Sequence, residues 1–261
     1  MPCKIQFYGR NGTRDPFFGP DSGIYGVHNV VYTPDGRAEQ PLPPGKYDVI
    51  VSYGPEYDAI FDTIEIKQGE QTRISGELKR VVDTTGWVSA EYHSHSTPSG
   101  DNVASQRGRV LNLLAEHLEF APCTEHQRVD SYVEHLRYFD ATDRMATTTG
   151  MELTASPGDI NHQNAFPLDW KPRTQDGGAP DVDGDPEIQI ERLKRWNDER
   201  DKIVQQNHPD MVHMFFDKNN DGNRDAGYAR MRSFMDCIEI HPIQAVFWQP
   251  FTDKPRPGTN A

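Results

Sequence analysis

The clearest alternation of apolar and polar positions is KYDVIVSYG, where Tyr47, Val49, Val51 and Tyr53 interleave with Asp48, Ile50 and Ser52. Successive side chains of a strand point to opposite faces, so this pattern predicts a strand with one buried face. AIFDTIEIKQGEQTRISGEL then predicts two strands joined by a turn at Gly69 and Glu70. PLPPG, just before the first strand, is a turn cluster whose prolines cannot donate to a central ladder. Residues 1–85 therefore read as a small all-β sandwich, with no catalytic constellation inside it.

From Gly86 the pattern changes. GWVSAEYHSHS predicts a strand ending in a histidine pair, and a helix over 103–118 follows with Val110, Leu111, Leu114 and Leu118 on one stripe. EFAPCTEH is a short apolar run that ends in Glu125 and His126. A helix near 130–139 leads into GMELTASPGDINHQNAFPL. After an acidic loop at 171–185, Asp185 and Pro186 supply a cap and a first-turn proline. The helix they start carries Ile190, Leu193, Trp196 and Ile203 inward and runs into IVQQNHP. MDCIEIHP predicts a last short strand. Alternating strands and helices give residues 86–261 the pattern of an α/β barrel or layered sheet.

Composition narrows the function classes. A chain of 261 residues holds one large domain, or a medium one beside a small one. A net charge of -13 excludes the clustered lysine and arginine that nucleic acid needs, and leaves a small-molecule substrate as the expected partner. No apolar run is long enough to cross a membrane, and the N-terminus lacks the apolar core of a leader, so no membrane insertion is expected. The expected protein is soluble: cytoplasmic, or periplasmic or secreted where a leader has been removed. Cys3, Cys123 and Cys237 are odd in number and far apart; Cys123 and Cys237 read as buried thiols.

The histidines change the picture more than the composition does. His93 and His95 stand two apart, so in a strand both rings project into one space. A shared metal ion resolves their repulsion; an exposed pair in a polar loop is the other reading. Glu125 and His126, Glu152, His208, and Glu239 with His241 also fall at or just past predicted strand ends, with His162 in the loop after Glu152. In α/β barrels such ends share one mouth, where sites are built. Imidazoles and carboxylates together form a ligand set for Zn, Mn or Fe, and such ions make water nucleophilic near neutrality. No serine or cysteine nucleophile signature competes with this reading.

EYHSHSTPSGDN, FAPCTEH, GMELTASPGDINHQNAFPL and QQNHP resemble, in order, the motifs of the polymerase and histidinol phosphatase (PHP) superfamily, and within it the CehA/McbA-type metallohydrolases. Residues 1–85 resemble the β-sandwich that often precedes that domain, so the resemblance covers nearly the whole chain. It implies a distorted (β/α)7 barrel and two or three divalent transition metals. His93, His95 and Glu152 would hold one ion, Glu152 would bridge to a second held by His162 and His208, and Asp101 with His126 match a third site. Glu152 and His126 are the implied catalytic residues. The implied reaction is hydrolysis of a phosphoester by metal-activated water. A carboxylic or carbamic ester is the alternative substrate, and a metal- or glycan-binding protein with an incomplete site is the non-catalytic alternative. Arg128 and Asn164 are candidates for contact with an anionic substrate, against ordinary salt bridging on an acidic surface.

The sequence departs from the family pattern at several points. Glu91 and Glu125 stand where aspartate is usual, and GDINHQN carries extra residues between its glycine and His162. The D-x-H motif that closes the family pattern is absent from the 261 residues. Either the chain stops before that motif or it is a member with fewer metals. Asp101 is a helix cap or a ligand. His117 reads as a surface residue, His135 as packing or solvent-facing, and His213 and His241 as neighbours of the site. DKNNDGNRD places Asp217, Asn219, Asp221 and Asp225 at EF-hand-like positions, with Tyr228 where the bidentate glutamate belongs. A Ca²⁺ site and a solvated turn are the two readings of that loop.

Overall fold

The computed structural model describes residues 1–19 and 28–239; His241 lies outside them. Backbone contacts divide the chain into two compact units. One comprises Met1–Glu91, Val103–Ala121 and Tyr132–Thr147; the other comprises Tyr92–Asn102, Pro122–Ser131 and the chain from Thr148 on.

In the first unit, β1 (Cys3–Arg10), β2 (Val30–Thr33), β3 (Gly45–Ser52) and β4 (Ile60–Ile66) form one antiparallel sheet in the order β2-β1-β3-β4. Alternation along β3 sends Tyr47 and Val49 into a cluster with Phe7, Ile64 and Ile74. The second strand expected after Gly69 does not form. Residues 71–79 pair with no strand, and Ile74 and Leu78 instead pack against the two apolar clusters of this unit. Covering the sheet with side chains satisfies those apolar positions without a second ladder, and the described part of residues 1–85 contains one four-stranded sheet.

Helix α1 (Gln106–Ala115) is capped by Ser105, whose hydroxyl accepts from Gly108 N at 3.0 Å, so the capping role open to Asp101 belongs to Ser105. Val110, Leu113, Leu114 and Ala115 are buried, which turns the stripe towards Leu113 and away from Leu111. At the turn after β3, Gly54 has φ +65 and its missing side chain would meet the Glu116 carbonyl at 2.4 Å. Only glycine fits there. His117 is not a free surface residue: its ring packs 4.8 Å from Tyr53 and 5.1 Å from Tyr57, and its Nδ1 pairs with Glu56. β5 (Phe120–Pro122), helix α2 (Val133–Tyr138) and β6 (Ala146–Thr148) follow, with β5 and β6 paired. His135 Nε2 lies 2.9 Å from Gln106 Oε1.

In the second unit, β7 (Met151–Thr154), β8 (His162–Phe166), β9 (Ile203–Gln206) and β10 (Cys237–Ile238) form a sheet in the order β10-β9-β8-β7. The β7/β8 and β8/β9 pairs are antiparallel, and the β9/β10 pair is parallel. Helix α3 (Pro186–Arg195) covers it, and α4 (Met211–Phe216) follows β9. Asp185 caps α3 by accepting from Glu187 N, and Ile190 and Leu193 join Met151, Leu153, Ala165 and Val204 in the core.

The sequence pattern extends α3 to Ile203, but the helix stops at Arg195. Asn197, Asp198 and Glu199 all take left-handed φ of 54–57°. The buried Lys202 ammonium donates to the carbonyls of Lys194 and Trp196, which satisfies the helix end. Ile203 then starts β9 and is largely exposed. Cys123 is buried as expected, whereas Cys237 is exposed on the edge strand β10.

The architecture is mixed α/β. The described residues contain four α-helices, and no sheet among them closes into a barrel. Strand β8 runs antiparallel to both β7 and β9, so the repeated parallel crossovers of a regular (β/α)7 barrel are not seen among the described residues.

The turned stripe of α1 gives a direct check by urea unfolding. Leu113→Ala is expected to cost about 2–4 kcal/mol, and Leu111→Ala, at a half-buried position, roughly 1 kcal/mol or less. Equal costs would contradict the burial described here.

Candidate metal centre

Period-two alternation in the second sheet builds the site. Register pairs Glu152 with Asn164, Thr154 with His162, and Asn164 with Gln205. Those five residues therefore share one face, and Asn207, two beyond Gln205, continues it. Met151, Leu153, Ala165 and Val204 point the other way into the apolar core. The segment carrying His126 runs beside β7 through a parallel bridge between His126 and Glu152. The predicted strand ending at His95 is not regular: residues 92–95 join no ladder, and Ser94 is tied instead to Thr124, whose Oγ1 accepts from Ser94 N at 2.9 Å and donates to Ser94 O at 3.0 Å. Ligand candidates thus gather on one face of an antiparallel sheet and beside it, not at the shared mouth of parallel strands.

Glu152 sits at the centre and is 0% exposed. Its Oε2 lies 3.4 Å from His93 Nε2, 3.2 Å from His95 Nε2 and 2.8 Å from His126 Nδ1, while Oε1 lies 3.2 Å from His162 Nδ1. His93 Nε2 and His95 Nε2 are 2.8 Å apart. Among the described residues Glu152 Oε2 and His162 Nδ1 are buried polar atoms with no hydrogen-bond partner. The His208 ring centroid lies 5.5 Å from that of His93 and 5.1 Å from that of His162. Asp101 Oδ2 lies 3.1 Å from His126 Nε2. The structure therefore gathers His93, His95, Asp101, His126, Glu152, His162 and His208. Four overlapping sets bring their donor atoms within 4.8 Å of one another: His93/His95/Glu152, His93/His208/Glu239, His95/Asp101/His126 and Glu152/His162/His208.

The donor set fits a divalent metal. Ligand bonds of about 2.0–2.2 Å put neighbouring donors roughly 3.0–3.4 Å apart in tetrahedral or octahedral shells, close to the spacings around Glu152. Electrostatics give the same answer. Burial alone would raise the Glu152 carboxyl, but the imidazoles of His126, His162, His93 and His95 hold it far below the usual carboxylate range. Burial opposes charge on His93, yet Glu152 and Glu239 prevail and raise it to about 10. Partial burial and the neighbouring His162 and His93 keep His208 low, which favours its neutral, ligating form. The cluster demands positive charge, and a proton on His93 or a metal ion can supply it.

Two residues join the cluster that the sequence reading did not place in the ligand set. Asn207 donates both amide protons, to Glu152 Oε1 at 2.9 Å and to Asn164 Oδ1 at 2.8 Å. Asn164, fully buried, donates in turn to Tyr92 O at 2.7 Å, so both ends of its amide are engaged within the scaffold. Glu239 Oε2 accepts from His93 Nδ1 at 2.8 Å and from His208 N at 3.1 Å. Glu239-Ile240-His241 is an E-x-H triplet, a signal readable as a lengthened D-x-H.

Other candidates have partners outside those sets. Arg128 is paired with Asp130 at 3.0 Å. His213 pairs with Asp159 at 2.8 Å and belongs to none of the ligand sets. The Asp217–Asp225 loop closes on itself. Asp217 accepts from Asp221 N and Gly222 N, Asp221 from Asn223 N, and Asp225 from Lys218 N and Gly227 N. Its carboxylates accept from the loop's own backbone and belong to none of the four ligand sets, the arrangement of a self-capped turn.

No protein-family model and no curated protein matches the chain. A solved structure from Bacteroides vulgatus, a two-domain protein containing a predicted PHP-like metal-dependent phosphoesterase, is 19% identical, with a TM-score of 0.40. The match covers 66% of this chain and 49% of that one, so the chain spans about half the length of that protein.

Two outcomes test this description without any metal. Asn207→Leu leaves Glu152 Oε1 and Asn164 Oδ1 without their donor and is expected to cost about 1–3 kcal/mol in chemical denaturation. The His213–Asp159 pair has a pH signature of its own. Asp159 first of all raises His213, burial opposing, and His213 lowers Asp159. The histidine's share of stability is full below about pH 6.5 and is lost as pH rises through its raised folded value; the aspartate's share is present above about pH 4 and is lost on acidification. The stability gap between the native chain and Asp159→Asn is therefore expected to be widest between those limits and to shrink above them. Its size is under about 1 kcal/mol, since Asp159 is partly solvated.

Proposed function

We propose that this protein is a metal-dependent hydrolase whose site is centred on Glu152, with a phosphoester as its substrate. The observation that carries the reading is the convergence of His93 Nε2, His95 Nε2 and Glu152 Oε2 within 2.8–3.4 Å in a buried position. The ordered resemblance to PHP-superfamily motifs supports it, and on this reading the β7–β10 sheet is the part of that family's distorted barrel that carries the site. His93, His95 and Glu152 hold one divalent ion, and Glu152 with His162 and His208 holds a second. The donor set suits Zn, Mn or Fe. Such ions, when bound, supply the Lewis acidity that makes water nucleophilic near neutral pH and offset charge on the ester oxygens.

The chain's own groups do the rest. Glu152 presents one oxygen to each side of the cluster, and Asn207 fixes its rotation by holding Oε1. His126 stands between Glu152 and the exposed Asp101, which raise it against burial. With three ions His126 and Asp101 are ligands; with two, His126 Nε2 holds a proton that can pass to the leaving group. Arg128 is the guanidinium proposed to meet the substrate's negative charge, and Asn164 acts by holding Asn207.

Metal analysis of the purified protein is expected to give more than one transition-metal equivalent per chain. Hydrolysis of p-nitrophenyl phosphate in excess of p-nitrophenyl acetate is the expected activity. The reverse preference would favour a carboxylic ester, and metal without turnover a binding protein. Glu152→Gln is expected to fold, to lose bound metal and to lower phosphatase activity at least about 100-fold. Retention of both would remove Glu152 from its role.

A further inference from the structure

Glu125 lies next to His126 but turns away from the cluster. It is fully buried, and its carboxylate accepts from Ser96 N at 2.9 Å, from the Ser96 hydroxyl, and from the Ser99 hydroxyl at 2.6 Å. Ser99 is fully buried as well. A carboxylate only accepts, so the single Ser99 proton is committed to Glu125 Oε2. The two acceptor positions of Ser99 Oγ then face His126 N at 2.9 Å and His95 Nδ1 at 3.2 Å. Both must donate. His95 therefore carries its proton on Nδ1 and turns the lone pair of Nε2 towards His93 Nε2 and Glu152 Oε2.

We propose that Glu125 is a positioning residue that sets the tautomer and ring orientation of His95 through the Ser99 hydroxyl, without touching the reacting atoms. The proposal rests on reading the site as a metal centre, since Nε2 must be a lone pair to ligate. Glu239 treats His93 in the same way from the opposite side, accepting from its Nδ1. Partners of this kind on the far nitrogen of ligating histidines orient the ring and typically change metal affinity 10–100-fold. The alternative, that Glu125 only ties two chain segments together, is compatible with either tautomer of His95.

The experiment is nitrogen-15 NMR of histidine-labelled protein, chelated free of metal at pH 8.5, joined to Zn²⁺ titration of the same samples. The native chain is expected to show His95 as the Nδ1–H tautomer. Ser99→Ala is expected to release that tautomer and to weaken Zn²⁺ binding 10–100-fold at unchanged secondary structure. Ser99→Thr, which keeps the hydroxyl, is expected to restore both. Glu125→Ala is expected to match Ser99→Ala, because it frees the Ser99 proton to turn towards His95. An Nε2–H signal for His95 in the native chain, or an Nδ1–H signal that survives in Ser99→Ala or Glu125→Ala, overturns the proposal. Because the tautomer is read without metal, a native chain that shows Nδ1–H yet binds no Zn²⁺ would remove the proposed function while leaving the positioning of His95 standing.

Discussion

One buried negative charge organises the second unit. Glu152 is wholly withdrawn from water, and an isolated carboxylate in that position costs several kcal/mol. Asn207 satisfies one of its oxygens with a neutral donor. The other oxygen faces three imidazole nitrogens and no hydrogen-bond donor of adequate geometry among the described residues. Folding this segment is therefore tied to bringing positive charge between the histidines and the carboxylate. That requirement explains why four separate stretches of chain bring their imidazoles to Glu152, and why none of those rings is spent on the apolar core.

The sheet meets the requirement by dividing its two faces. One face, with Met151, Leu153, Ala165 and Val204, packs into the core with α3. Beneath the site a ladder of buried amides stiffens the same strands. Gln189 donates to Gln163 Oε1 at 2.7 Å, Gln163 donates to Gln206 Oε1 at 3.0 Å, and Gln206 donates to His162 O at 3.0 Å. Each amide has its partners, so the ladder specifies register where polar groups left unmet would weaken it. A one-residue slip in β8 would send His162 and Asn164 into the core and bring Gln163 to the site. Fold and site are thus fixed by the same hydrogen bonds.

Much of this was legible in the sequence, for identifiable reasons. The i, i+2 spacing of His93 and His95 predicts rings in one space, and their Nε2 atoms lie 2.8 Å apart, although the backbone there is irregular and not a strand. The alternation in KYDVIVSYG and the cap at Asp185-Pro186 are local signals, and local signals survived. What failed depended on distant partners. The second strand after Gly69 was lost because Ile74 and Leu78 find apolar cover without pairing. The end of α3 was misplaced because a lysine seven residues beyond its last turn supplies the terminal hydrogen bonds. Strand–helix alternation left a barrel and a layered sheet both open, because it does not report whether neighbouring strands run parallel. Asn207 was overlooked because an asparagine beside a histidine draws less notice than the histidine, although only its amide reaches Glu152 and Asn164 together.

The carboxylates carry a further regularity. Glu125 and Glu239 both point their oxygens at the Nδ1 side of a site histidine, directly for His93 and through Ser99 for His95. Glu239 extends from the edge strand β10 to reach His93 Nδ1 and the His208 amide with one oxygen. Glu125 reaches two serines of the 96–99 turn. On the proposed reading these two carboxylates orient the imidazoles of His93 and His95 from their Nδ1 sides, and Glu152 is the carboxylate that faces the Nε2 atoms of both rings.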